Sequence, residues 1–169
     1  NSIVGIGEPC GPGIEGVIGY DENQPKYEYN LEKAKELVAN SDYNGEPLNF
    51  LAPTQQNITR ISETMQAIMS MMNEAGFNVE VELLDKSAYN DRRASGDYDL
   101  ALSSWNNAGG DSYKMYSDLT IADRFNTGYQ NPEITAIYEE GIEGNLDVES
   151  RGAASAEINS IMMEEFAPM

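Results

Sequence analysis

The sequence contains no histidine and a single cysteine, Cys10, among its 169 residues. Histidine is the usual general base and the commonest zinc ligand, so its absence excludes a Ser-His-Asp triad and a histidine-based zinc centre. One cysteine excludes an internal disulfide and any paired-cysteine metal or redox motif. These two absences exclude histidine- and cysteine-based chemistry, and we predict no catalytic residues, no metal site and no cofactor.

Basic residues are also scarce, because ten Lys and Arg stand against 29 Asp and Glu, which gives a formal net charge of -19. Such a charge repels phosphate backbones and anionic lipid surfaces, so no nucleic-acid partner is predicted. No apolar run approaches the roughly 18 residues of a membrane span, and no signal peptide is visible. We expect an excised piece or a mature product, whose membrane contact would run through an anchor outside this chain.

Residues 1–30 are rich in glycine and proline, which predicts an irregular lead-in. They contain a GxGxxG pattern that begins at Gly11. A dinucleotide site needs a strand before this loop and a helix start after it, but Pro12 lies inside the pattern and Val17-Ile18-Gly19-Tyr20 follows it. We interpret the pattern as a glycine-rich loop.

The rest of the chain alternates between helix and strand patterns. A strand, a helix and a second strand follow one another, which predicts a βαβ unit with parallel pairing and an α/β fold class. Four methionines on the second predicted helix are interpreted as core rather than as a pliable groove. Helices are predicted over about 31–40, 56–75, from Ser87, from Pro132 and over about 148–165, and strands around 48–52, 77–83 and 98–102.

The loop from Trp105 to Asp111 follows the third predicted strand. It holds the only tryptophan of the chain, together with Asn106 and Asn107. Ligands of α/β sheets bind outside the carboxyl ends of strands, which makes this loop the candidate site. The residues alone leave open whether Trp105 lines a ligand or packs as core.

Carboxylate catalysis is the main chemical alternative in so acidic a chain. Glu139-Glu140 and Glu164-Glu165 are adjacent on predicted helices, where neighbours point about 100° apart and form no acid/base dyad. Two carboxylates from different elements could still meet in space. An acidic α/β hydrolase and a surface interaction domain therefore stay open as alternatives.

Six segments occur in an order that is typical of one protein family. The order resembles that of the extracellular solute-binding proteins of peptide- and nickel-type ABC importers, called family 5, and the resemblance is to the C-terminal lobe. The segments are Gly19-Tyr20, Tyr29–Val38, Glu74–Glu80, Gly96–Trp105, Tyr129–Ile134 and Phe166–Pro168.

The resemblance implies a periplasmic-binding-protein type II-like lobe with a small mixed sheet flanked by helices, formed by residues 1–169 as one lobe of a two-lobed protein. It implies a substrate-binding component without enzymatic activity, which captures an oligopeptide or a related small solute between two lobes and delivers it to permease subunits. Such a protein is expected as a secreted or lipid-anchored monomer at the extracellular face of the membrane or in the periplasm.

The resemblance also implies that Trp105, Asn106, Asn107 and Asp111 bind the ligand. Well-studied peptide binders of this family carry an aspartate three residues after the tryptophan, where it pairs with the peptide's α-amino group, but this chain has Ala108. We therefore expect a ligand held mainly by aromatic contact and asparagine hydrogen bonds. Whether Asp111 supplies the missing charge stays open.

Overall fold

The computed structural model describes residues 13–24, 27–54, 58, 60–104, 110–124 and 126–165. The chain divides into two compact units, Glu28–Ser104 and Asn1–Tyr27 with Trp105–Met169, which we call the sheet unit and the helical unit. Among the described residues, none of the helices combines the length and the apolar character that a membrane crossing requires.

The sheet unit alternates helices and strands along the chain. Its strands pair in the order β2-β1-β3, and both pairings are parallel. The predicted parallel pairing is confirmed, but the described strands form a parallel sheet and not a mixed one. The reason is the connectivity, since a helix joins each strand to the next and returns the chain to the end of the sheet at which the previous strand began. The elements are α1 (Leu31–Ala39), β1 (Pro47–Pro53), α2 (Ile61–Ala75), β2 (Asn78–Leu84), α3 (Lys86–Ala94) and β3 (Leu100–Ala101).

The central strand β1 is buried more completely than its sequence pattern predicts. Phe50, Leu51 and Ala52 are all buried, although strict alternation would expose the middle one. Strand β1 lies between two neighbours, and α3 packs against it. A central strand covered on both faces needs apolar residues at successive positions.

Helix α2 supplies most of the apolar cover over one face of the sheet. It begins at Ile61 and not near residue 56, because Arg60 has a left-handed backbone (φ 56°, ψ 46°) that a right-handed helix cannot include. Met65 is fully buried, and Met69 and Met72 pack against the same cluster as Phe50. Three of the four methionines predicted as core are therefore confirmed, whereas Met71 does not belong to this cluster.

The predicted helix ends are confirmed where a side chain or a glycine determines them. The Asn30 side chain accepts a hydrogen bond from the Lys33 amide at 2.8 Å and caps α1. Gly76 ends α2 in the left-handed conformation (φ 113°). These local signals act within one turn of helix, so the sequence reveals them.

The helical unit contains a short helix that sequence periodicity does not predict. Helix α4 (Tyr113–Tyr116) continues into a π-helical turn (Ser117–Ile121), followed by α5 (Pro132–Gly141) and α6 (Val148–Glu164). The π-helical turn is fixed by Asp118, whose buried carboxylate lies 3.1 Å from Lys114 Nζ and 2.8 Å from Arg124 Nε. The core of this unit contains Tyr116, Leu119, Ile134, Ile142, Ala154, Ile158 and Met162.

The described part of the glycine-rich lead-in packs on α6. The Gly13 amide donates to Asn159 Oδ1 at 3.0 Å, and Tyr27 donates its hydroxyl to the Met163 carbonyl. Gly19 has φ 87° and lies against Gly152 and Ser155 of α6. A backbone can approach a helix this closely only where no Cβ intervenes.

Because the phenol of Tyr116 is buried, we expect the protein to lose stability at alkaline pH. This side chain is fully buried and donates to the Ser155 carbonyl at 3.1 Å, and burial raises its pKa. Above pH ~10 the tyrosine of the unfolded chain loses its proton, whereas the folded protein keeps Tyr116 protonated. The free energy of unfolding, which is at its full value below pH ~10, therefore falls by up to about 1.4 kcal/mol for each further pH unit.

We expect Tyr116→Phe to reduce the slope of stability against pH above pH ~10, with a loss of ~1 kcal/mol at pH 7 from the missing hydrogen bond. Urea unfolding from pH 7 to 11 measures both quantities. Tyr29→Phe is the matched control, because Tyr29 is 71% exposed. An unchanged alkaline slope in Tyr116→Phe would show that this phenol does not govern the transition.

Candidate functional site

Of the four predicted ligand-binding residues, the structure describes one. Trp105, Asn106 and Asn107 lie outside the described residues, as does Ala108, whereas Asp111 lies within them. The described neighbours of the loop are therefore the backbone before it, in the sheet unit, and the backbone after it, in the helical unit.

The backbone leading into the loop leaves the carboxyl edge of the parallel sheet. The Leu102 amide donates to the Leu51 carbonyl at 2.8 Å, which continues the pairing of β3 with β1 by one residue. The Leu102 carbonyl accepts the hydroxyl of the fully buried Tyr89 at 3.1 Å. Ser103 and Ser104 follow and are exposed. They lie after the carboxyl end of β3, and ligands of α/β sheets bind outside the carboxyl ends of strands.

The backbone that follows the loop is held within the helical unit. The Ile18 amide donates to the Gly110 carbonyl at 2.8 Å, and Ile18 forms a parallel bridge with Asp111. Asp111 Oδ1 accepts the Tyr113 amide at 2.9 Å. This arrangement connects the end of the candidate loop to the start of α4.

Arg151 on α6 neutralises Asp111, and sequence reasoning did not identify it. Its guanidinium pairs with Asp111 Oδ2, and the two side chains are only 18% and 10% exposed. Nη1 donates to the Asn145 carbonyl at 2.9 Å, and the guanidinium carbon lies 5.3 Å from the centre of the Tyr113 ring. The partners are 40 residues apart, so no local sequence signal connects them.

Three described carboxyl groups have a pKa below the ordinary value of their side chain. A backbone hydrogen bond is the largest cause that lowers the pKa of Glu63. The hydroxyl of Ser150 does the same for the pKa of Asp147, and the hydroxyl of Tyr129 for the pKa of Glu165. A carboxylic general acid at neutral pH requires a raised pKa instead. The described residues of the chain contain no group of three or more His, Cys, Asp and Glu side chains that could hold a metal ion.

Comparison with known sequences gives one family match and one curated relative. The profile of the family described as "Bacterial extracellular solute-binding proteins, family 5 Middle" matches residues 5–127. The chain is 31% identical over 132 residues to the probable D,D-dipeptide-binding periplasmic protein DdpA of Escherichia coli K12, and the match covers 75% of this chain and 25% of the relative. The chain thus spans about a quarter of the length of that protein.

Comparison with solved structures shows the same fold. HbpA2 from Haemophilus parasuis aligns with a TM-score of 0.79 and 21% identity over 94% of this chain and 32% of its own. DppA from Helicobacter pylori, solved in complex with the peptide STSA, aligns with a TM-score of 0.77 and 22% identity over 94% of this chain and 31% of its own. These likenesses confirm an α/β fold of the type II periplasmic-binding-protein kind.

Proposed function

The chain belongs to family 5 of the bacterial extracellular solute-binding proteins, and from this membership we propose that it is part of the substrate-binding component of an ABC importer. The family match over residues 5–127 is the observation that carries the proposal, since it includes the whole sheet unit and the candidate loop. The partner is a pair of membrane permease subunits, and the protein works outside the cell membrane or in the periplasm. Its role is to bind and deliver, without catalysis.

The ligand that we propose is a short peptide or a closely related solute. The curated relative is named as a probable D,D-dipeptide-binding protein, and two structures of similar fold were solved with the peptide STSA and with the dipeptide Met-Leu. A peptide backbone offers amide donors and acceptors at regular spacing, which asparagine side chains can satisfy. An indole adds a large apolar surface with one donor.

Within the chain, we propose that Trp105, Asn106, Asn107 and Asp111 belong to the ligand site. The support is the position of the loop after a strand end at the carboxyl edge of a parallel sheet, where Tyr89 and Leu51 hold the preceding backbone. Concave ligand sites combine apolar and aromatic surfaces with a few polar groups, which these residue types provide.

We expect the whole gene product to bind the tetrapeptide Ser-Thr-Ser-Ala or the dipeptide Met-Leu saturably in isothermal titration calorimetry. Trp105→Ala should weaken binding by about tenfold or more, because a buried aromatic anchor contributes roughly 2 kcal/mol. The matched control is Tyr29→Ala, which removes a 71% exposed aromatic side chain far along the sequence from the loop.

Mass spectrometry of the peptide after the titration separates transport binding from the hydrolase alternative. An intact peptide supports a binding protein, whereas its stoichiometric cleavage would support the acidic hydrolase. Equal affinities of the wild type and Trp105→Ala would place the ligand away from this loop.

A further inference from the structure

Arg151 connects three parts of the helical unit around one partly buried charge pair. Its guanidinium reaches Asp111 after the candidate loop, the Asn145 carbonyl before α6, and the face of Tyr113 at the start of α4. Among the described residues of the helical unit, the basic side chains are Lys114, Arg124 and Arg151, of which the first two pair with the buried Asp118 and the third with the partly buried Asp111. Of these three cations, only Arg151 is itself largely withdrawn from solvent, with 18% of its side chain exposed.

We propose that Arg151 is a positioning residue of the ligand-binding segment, and that Asp111 contributes to binding by fixing the turn from Gly110 to Tyr113. In this role Asp111 does not pair with a charged group of the ligand. The solute is then recognised without an ionic contact at Asp111, so an N-terminally blocked peptide is as good a ligand at this position as a peptide with a free ammonium group. This inference rests on the proposed function.

Each carboxylate oxygen of Asp111 has a partner within the helical unit. Oδ1 accepts the Tyr113 amide at 2.9 Å, and Oδ2 pairs with Arg151. With 10% of its side chain exposed, Asp111 could turn towards a ligand only by leaving the guanidinium of Arg151 without its carboxylate partner in a largely buried position. We therefore expect the separation of this partly buried ion pair to cost more than a new exposed contact returns.

The backbone around the pair shows what the pair holds in place. The Ile18 amide bonds to the Gly110 carbonyl at 2.8 Å, and Gly110 has a left-handed backbone (φ 65°). The Tyr113 ring lies against the guanidinium, which limits the directions that the first turn of α4 can take. Removal of the guanidinium would release the lead-in and the start of α4 together.

The first test compares the affinities of Ser-Thr-Ser-Ala and its N-acetylated form in the whole gene product. Arg151→Met should weaken binding of both peptides by about tenfold or more, and Arg151→Lys by less, because truncating one partner of a buried charge pair has a large effect. Asp111→Asn should leave the ratio of the two affinities within about twofold of the wild-type ratio. A direct ion pair between Asp111 and the peptide's ammonium group would instead change this ratio by about tenfold or more when the charge is removed. Lys35→Met is the control, because the Lys35–Glu32 pair is exposed.

The affinity ratio distinguishes positioning from direct recognition. A preference for the free amine that disappears in Asp111→Asn would overturn the proposal, because it would show that this carboxylate pairs with the ligand's ammonium group. An equal affinity of Arg151→Met and wild type for both peptides would also overturn it.

A second test needs no ligand and separates this inference from the proposed function. In hydrogen–deuterium exchange, Arg151→Met should increase the exchange rates of the Ile18 and Tyr113 amides by about tenfold or more, while the Leu102 amide of the sheet unit keeps its rate. If neither peptide binds the wild type, the proposed peptide function fails and this exchange result still decides the role of Arg151. Unchanged rates at Ile18 and Tyr113 would contradict that role.

Discussion

Replacement of Gly19 by alanine is expected to lower the free energy of unfolding by about 3 kcal/mol, because strain and overpacking act together. Gly19 has a left-handed backbone (φ 87°), which an alanine adopts only at a cost. Its new Cβ would overlap the Ser155 Cβ and would lie 3.0 Å from the Gly152 carbonyl oxygen. Both neighbours belong to helix α6, so neither can move without shifting the helix.

Gly45→Ala is the matched control for this prediction. Gly45 has the same left-handed backbone (φ 89°), but apart from its two chain neighbours no heavy atom of the described residues lies within 4 Å of the position that its Cβ would take. Gly45→Ala should therefore lower the free energy of unfolding by only about 1 kcal/mol, which is the cost of holding an alanine in the left-handed backbone. Urea unfolding of both variants measures the difference, which isolates the close approach of the lead-in to α6. Equal losses would mean that the lead-in does not pack on α6 at Gly19.

The second large effect is expected at Met65 in the core of the sheet unit. This side chain is fully buried and belongs to a cluster with Phe50, Ala52 and Val79. Met65→Ala should destabilise the protein by about 3 kcal/mol, since it removes apolar contacts and leaves a cavity. The measurement is the midpoint of chemical unfolding at constant slope.

Met65→Leu tests whether volume or flexibility is required at this position. A packed core tolerates the exchange at a cost of under ~1.5 kcal/mol, because leucine fills nearly the same volume. A pliable ligand groove would instead show a small stability change in both variants and a change in peptide affinity. The two substitutions thus separate the core interpretation of the methionines from the groove interpretation.

The sequence determined those features whose causes lie within a few residues of one another. Asn30 caps α1, Gly76 ends α2, and the alternation along β2 marks a strand, as the structure confirms, although Leu83 of its apolar side is exposed. The succession of strand, helix and strand was enough to predict parallel pairing, because a helical crossover returns the chain in the same direction. The ordered motifs were likewise enough to identify the family.

The tertiary structure alone decided the features that depend on distant residues. The partnership of Asp111 with Arg151 spans 40 positions, and the buried Asp118 collects two cations around a π-helical turn that has no clear periodicity. Neutralising a carboxylate requires a cation at a particular point in space, and many sequence positions can supply it. The charge of Asp111 was therefore visible in the sequence, but only the packing of α6 against the turn after the loop determined that the charge is already paired.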